Sequence, residues 1–171
     1  MSRLELALAV IIIGVLTTIV IRRADSLMIQ AERASMTQIE GQIRAALGLQ
    51  VALRVAQGRP ASAAQLAGSN PMALLQTQPG NYLGVLDDAD PARLDAGHWY
   101  FDANTHRLVY LVNHADAFVT ALAGAARAEF AIQLRYRDSD GNGRYDTSFD
   151  TLYGVDFAPT AAFRWKNGND D

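Results

Sequence analysis

MSRLELALAVIIIGVLTTIVI, residues 1–21, sets a single carboxylate, Glu5, at the head of an apolar run of nearly bilayer length. From Leu6 to Ile21 no residue is charged, and only Gly14, Thr17 and Thr18 interrupt the otherwise apolar run. An acidic side chain at bilayer depth costs about 2.5–3.5 kcal/mol on insertion scales, so it calls for a partner. Nearby positive charges are the Met1 α-amino group and Arg3, together with whatever a neighbouring subunit supplies. That arrangement points to assembly. A secretory signal would lead with basic residues and end at a small-residue cleavage site; here Arg22-Arg23 follow the core. A simple membrane anchor would have the length but no need of Glu5. An apolar surface all round over Leu6–Leu16 argues against a helix buried in a soluble protein.

In Met1, Ser2, Glu5 and Gly14, at those positions from the start of the chain, the sequence resembles the type IV pilins and type II secretion pseudopilins. The likeness is specific over about the first 25 residues and loose over the rest. Arg3 departs from the family's usual apolar residue, and Arg22 stands where many members have proline. The resemblance implies a mature chain whose basic leader was removed by a prepilin peptidase that methylates the new N-terminus. It further implies inner-membrane storage with the globular part in the periplasm, then assembly machinery that builds an extracellular filament from copies of the chain. Met1, Glu5 and Gly14 are the implied assembly residues, with Glu5 pairing to a neighbour's terminal amine.

The chain has 171 residues, a net charge of −3, no cysteine and one lysine, Lys166. That leaves no basic patch and no nucleic-acid signature, and no disulfide to stabilise the C-terminal region.

Helix is expected to continue past the membrane. No proline occurs from Ala24 to Gln57, and Leu27, Ala31, Ala34, Met36, Ile39, Ile43, Ala46, Leu47, Leu49, Leu53 and Val55 recur mostly at helical gaps. Glu32, Arg33, Gln38, Glu40, Gln42 and Arg44 are expected largely off that stripe, and Gly58-Arg59-Pro60 is the stop. Gly41 and Gly48 are expected to permit close packing. The division is 1–23 as membrane-spanning or filament-core half-helix, 24–57 as its amphipathic half, and 58–171 as a globular domain.

Within that domain, Ser62 is expected to cap a helix over Ala63–Ala67, and Asn70-Pro71 to open another reaching Leu75. Gln78–Asn81 predicts a turn and Gly84–Gly97 a surface loop; Trp99–Phe101 and Leu108–Val112 predict a hairpin. Arg127–Arg137 alternates, with Phe130, Ile132, Leu134 and Tyr136 on one face, and a further strand is expected at Thr151–Phe157. The expected fold is α+β: a pilin-like lollipop whose long helix covers an antiparallel sheet.

Asp138-Ser-Asp140-Gly-Asn142-Gly-Arg144-Tyr-Asp146 carries the remaining chemistry. Calcium loops set oxygen ligands at alternate positions with glycine sixth. Asp138, Asp140 and Asn142 hold positions one, three and five, Gly143 is sixth, the Arg144 carbonyl seventh and Asp146 ninth. Position twelve is Phe149 rather than Glu, with Asp150 next as a further ligand. A solvated turn is the alternative to a structural calcium site; the family resemblance, whose major pseudopilins use calcium in this region, favours the metal.

Catalytic signatures are missing: no G-x-S-x-G, phosphate loop or H-E-x-x-H occurs, so no enzyme is expected. His98, His106 and His114, spaced by eight, are expected at hairpin ends, and Trp99 and Trp165 in packing. The function expected is a filament subunit, pilin or pseudopilin, major or minor. The alternative is a membrane-anchored periplasmic calcium-binding module that never polymerises.

Overall fold

The computed structural model describes residues 2–166. One helix, α1 (Arg3–Ala56), runs through 54 residues without a break at Gly14 or at position 22. With no proline inside it, every helical N–H beyond the first turn can donate. It ends as Gly58 predicts: Arg59 N–H donates to Arg54 O and Gly58 N–H to Val55 O, each at 2.9 Å, with Gly58 at φ +71°. This is a Schellman cap, which needs a left-handed residue there.

The expected stripe is covered only from Ile29 onward. Met36, Ile43 and Leu47 are buried, and Ile29, Ile39 and Val51 pack beside them. Leu27, Leu49, Leu53 and Val55 are exposed instead. Leu49, two residues beyond Leu47, points about 200° away around the helix, so its hydrophobicity does not place it on the covered face. Glu32 corrects the expectation in the other direction: it lies on the covered face and is 8% exposed.

Seven strands follow: β1 (Tyr82–Leu86), β2 (Trp99–Asp102), β3 (Arg107–Leu111), β4 (Phe118–Thr120), β5 (Arg127–Arg137), β6 (Thr151–Pro159) and β7 (Phe163–Trp165). The main sheet has the order β1-β2-β3-β5-β6, and β4 pairs with β7 in a second, two-stranded sheet. Alternation divides the main sheet's faces. Trp99, Phe101, Leu108, Tyr110, Phe130 and Ile132 face α1, while Tyr100, Val109 and Leu111 pack under Leu86, Ala89 and Leu94 from the 87–98 connection. The architecture is α+β, a long helix laid by its C-terminal half on a sheet.

The sheet is mixed, not wholly antiparallel. Gly84–Leu86 falls in the expected surface loop and Tyr82-Leu83 follows the expected turn, yet Tyr82–Leu86 is an edge strand parallel to β2. A parallel neighbour needs a crossover of about a dozen residues, and 87–98 is that crossover. The β1 register shifts between Tyr82 and Val85 at Gly84, φ +96°; this bulge takes Tyr82 to the helix face and Leu86 to the other. Pro60–Leu66 is a 3-10 helix in which Ser62 Oγ donates to Arg59 O rather than capping a helix start. Asn70 does cap the expected next turn, a 3-10 helix over Pro71–Leu74. β4 and β7, three residues each, were too short for alternation to announce them.

Arg44 fastens the helix to the sheet edge. Its Nε donates to Phe157 O at 3.2 Å, and its guanidinium lies 5.9 Å from the Phe157 ring centroid.

Candidate functional site

Two of the sequence-expected sites lie at opposite ends of the chain. At the helix start, Ser2 is the N-cap: its Oγ accepts from Leu4 N–H at 3.2 Å and Glu5 N–H at 3.4 Å. Ser2 N–H donates to Glu5 Oε2 at 2.8 Å, closing a reciprocal capping box. Glu5 therefore has a partner inside its own chain that the sequence reading missed, although S-x-x-E at residues 2–5 is the signature of that box. Met1 lies outside the described residues.

The helix face beyond Glu5 is bare. Leu4 is 80% exposed, and Leu6, Leu8, Val10, Ile11, Ile12, Ile13, Val15 and Leu16 are all more than half or half exposed. The most apolar 18-residue window has a mean hydropathy of 2.7, none of it buried, long and apolar enough to cross a membrane. Gly14 has open space where a Cβ would stand, and Thr18 Oγ1 donates to Gly14 O at 2.9 Å, which satisfies the hydroxyl without water.

The acidic loop joins β5 to β6. Asp138 accepts from Gly141 N–H at 2.7 Å and Gly143 N–H at 2.8 Å, and the Gly143 bond foremost holds its carboxyl below the usual range. Gly141 and Gly143, at φ +73° and +72°, supply the left-handed turns that aim those N–H groups. Asp150, buried although its neighbour Phe149 is exposed, accepts from Ser139 N–H at 2.9 Å and Asp146 N–H at 2.8 Å.

Carboxylate oxygens of Asp138, Asp140 and Asp150 lie within 4.8 Å of one another, a grouping that could hold a metal ion. Asp146 stands outside that trio; its Oδ1 accepts from Ser148 N–H at 2.8 Å. Asn142 Nδ2 donates to Asp140 Oδ2 at 2.7 Å, and Asn142 Oδ1 accepts from Arg144 N–H at 2.7 Å. Asp150, one residue past the expected twelfth position, joins the leading aspartates in that grouping, and Asp146 does not.

A third cluster was not anticipated. Glu32 Oε1 accepts from Tyr110 OH at 2.9 Å and Asn113 N–H at 2.7 Å, and Oε2 accepts from His114 N–H at 3.1 Å. His114 Nδ1 also contacts Oε2. Burial foremost, then this carboxylate, pushes the Tyr110 hydroxyl well above the ordinary tyrosine range. The sequence signal was a glutamate in phase with Met36, one turn away. The three histidines take separate partners: His98 Nδ1 meets the Asp95 and Ala96 carbonyls, His106 Nδ1 meets Gly68 O, and His114 meets Glu32. Trp99 and Trp165 are both core residues.

Comparison with protein-family models, curated proteins and solved structures gives no match.

Proposed function

We propose that this chain is the structural subunit of a type IV pilus-like filament, held in the inner membrane with its domain in the periplasm before assembly. The observation that carries the reading is the uncovered half-helix headed by Glu5. A surface apolar on all sides needs lipid first and the same surface of other copies afterwards. In the free subunit Glu5 closes the capping box; on assembly it takes the terminal amine of a neighbour's Met1, since a buried charge is tolerable only when paired. Gly14 lets neighbouring rods approach closely. Prepilin peptidase and the assembly machinery are the partners this reading requires. Whether the filament is an extracellular pilus or a secretion pseudopilus, the same features serve.

The acidic loop has a structural part in this proposal. Asp138, Asp140 and Asp150 hold a calcium ion, with Asn142, the Arg144 carbonyl and Asp146 as further oxygen donors, and the ion neutralises carboxylates that otherwise repel. A non-polymerising membrane-anchored calcium module would share this loop but would make no use of Glu5.

Glu5→Gln separates the two roles of the carboxylate, because glutamine sustains a capping box but carries no charge. Both Glu5→Gln and Glu5→Ala should leave the subunit in the membrane and abolish filaments in electron micrographs. Filaments of normal length and number with Glu5→Gln would reduce Glu5 to a helix cap and overturn the pairing.

A further inference from the structure

We propose that the buried Glu32 carboxylate is a register lock that fixes where along its length α1 sits on the sheet. This concerns a single chain and stands whether or not the chain polymerises.

The apolar stripe cannot set that register alone. Ile39, Ile43, Leu47 and Val51 recur at every fourth residue, and all four belong to the covered face. A slip of four residues, just over one turn and about 6 Å, lays Ile43 on the site of Ile39, Leu47 on that of Ile43 and Val51 on that of Leu47, or the reverse. Aliphatic packing discriminates poorly among side chains of such similar volume.

Glu32 is different. Its carboxylate receives the Tyr110 hydroxyl and the backbone N–H groups of Asn113 and His114, and touches the His114 ring. A one-turn slip brings Met28 or Met36 to those donors. A thioether is a weak acceptor, so both slipped states strand Tyr110 OH and two backbone donors, and each carries a carboxylate to the buried site of Met36, Glu32 in one direction and Glu40 in the other. Polar groups buried in an otherwise apolar seam act in this way, excluding alternative registers rather than adding net stability. Arg44, a second polar tie, has a side chain 45% exposed, where water replaces its bond to Phe157 O at little cost. Glu32 also marks where the covered half begins, three residues after Ile29, so its register sets how far the bare half projects from the domain.

The test uses the full chain in detergent micelles. Since the sequence has no cysteine, Gln38→Cys and Gln133→Cys, both exposed, place one spin label on α1 and one on β5 for electron-electron distance measurement. With Glu32 present a single narrow distance is expected. Glu32→Met leaves methionine at 28, 32 and 36, so the domain should still melt cooperatively while the distribution splits or broadens by several ångströms. Glu32→Met combined with Met28→Glu offers the donors a carboxylate one turn earlier and should restore one narrow distance at a shifted value. Parental distances in both variants would overturn the lock. So would loss of cooperative melting in both, because the proposal requires the apolar stripe to hold the helix on the sheet unaided.

Discussion

Residues 4–16 and residues 29–54 belong to one unbroken helix, and they have opposite surroundings. Beyond the Ser2–Glu5 capping box, the described apolar side chains of the first half are exposed; the second buries one stripe on the sheet and shows mainly Ala, Gly, Gln and Arg outward, with Leu49 and Leu53 among them. Backbone hydrogen bonding is the same in both, so helix formation does not distinguish them. What differs is the source of cover, and in proteins helical stability comes largely from such cover. The covered half is accounted for by its own fold, whereas the bare half belongs to a helix long and apolar enough to cross a membrane and has no such cover among the described residues.

The sharpest way to break this comparison is to remove one large apolar group from each side. Phe130 is fully buried, with ring centroids 5.3 Å from Phe157 and 5.7 Å from Phe163. Phe130→Ala should cost about 3–5 kcal/mol, read as the loss of the Trp99 and Trp165 fluorescence transition at a markedly lower temperature. Ile12→Ala should shift that transition by no more than about 0.5 kcal/mol, as for exposed positions generally. Equal effects would mean that the bare half is folded onto the domain after all.

Calcium should come next in size. A ligand that binds only the folded state at a hundredfold excess over its dissociation constant adds about 2.7 kcal/mol. Melting of the full chain should therefore occur several degrees higher with calcium than with chelator. Asp138→Ala, Asp140→Ala and Asp150→Ala should each erase that difference. The difference is the proper readout, because Asp138 and Asp150 also cap backbone N–H groups without any ion. No calcium effect on the parent chain would leave the loop as a hydrogen-bonded turn.

Much of this was legible in the sequence, for identifiable reasons. Strand β5 falls on the expected Arg127–Arg137, because a half-buried strand alternates over enough residues to be seen. The Gly58 stop worked because a left-handed cap is a local requirement. Parallel β1 was hidden by its flanks: Gly84 and Asp87-Asp88 resemble a loop, and a parallel partner is chosen by tertiary structure. Glu32 is hidden by its charge, which by itself points to the solvent face, although its phase agrees with the buried stripe. At the acidic loop the run of carboxylates and glycines was legible, but spacing alone did not show that Asp150 folds back to Asp138 and Asp140.

Gly41 and Gly48 sharpen the comparison on the covered half's outer surface. Both are exposed, and nothing lies within 4 Å of a Cβ built on either, so within the chain they allow no close packing, contrary to expectation. Either glycine replaced by alanine should stabilise the domain by about 0.8–1 kcal/mol, the helix-propensity difference. If neighbouring rods pack against these glycines, the same alanines should shorten filaments while raising the melting temperature. Longer or unchanged filaments would remove Gly41 and Gly48 from the interface.

The smallest effect is one of sign, between Glu40 on the covered half and Asp138 on the exposed loop. Burial holds the Glu40 carboxyl above its ordinary range despite Arg44 beside it, so its stabilising contribution is present below the unfolded pKa and lost as pH rises through the folded one. Asp138 is shifted downward, chiefly by Gly143 N–H, so its contribution is present above the unfolded pKa and lost as pH falls through the folded one. In chelator, melting temperatures at about pH 3 and about pH 6 bracket ordinary carboxylates. Glu40→Gln should gain on the parent as pH rises across that range, because it sheds a charge that burial disfavours. Asp138→Asn should lose ground over the same rise, because the parent's carboxylate then accepts the loop's N–H groups at full strength. The Glu40 change should stay within the range of exposed ion pairs, about 0–1 kcal/mol. Curves for the two variants that move in the same direction would show that burial on the helix does not govern Glu40.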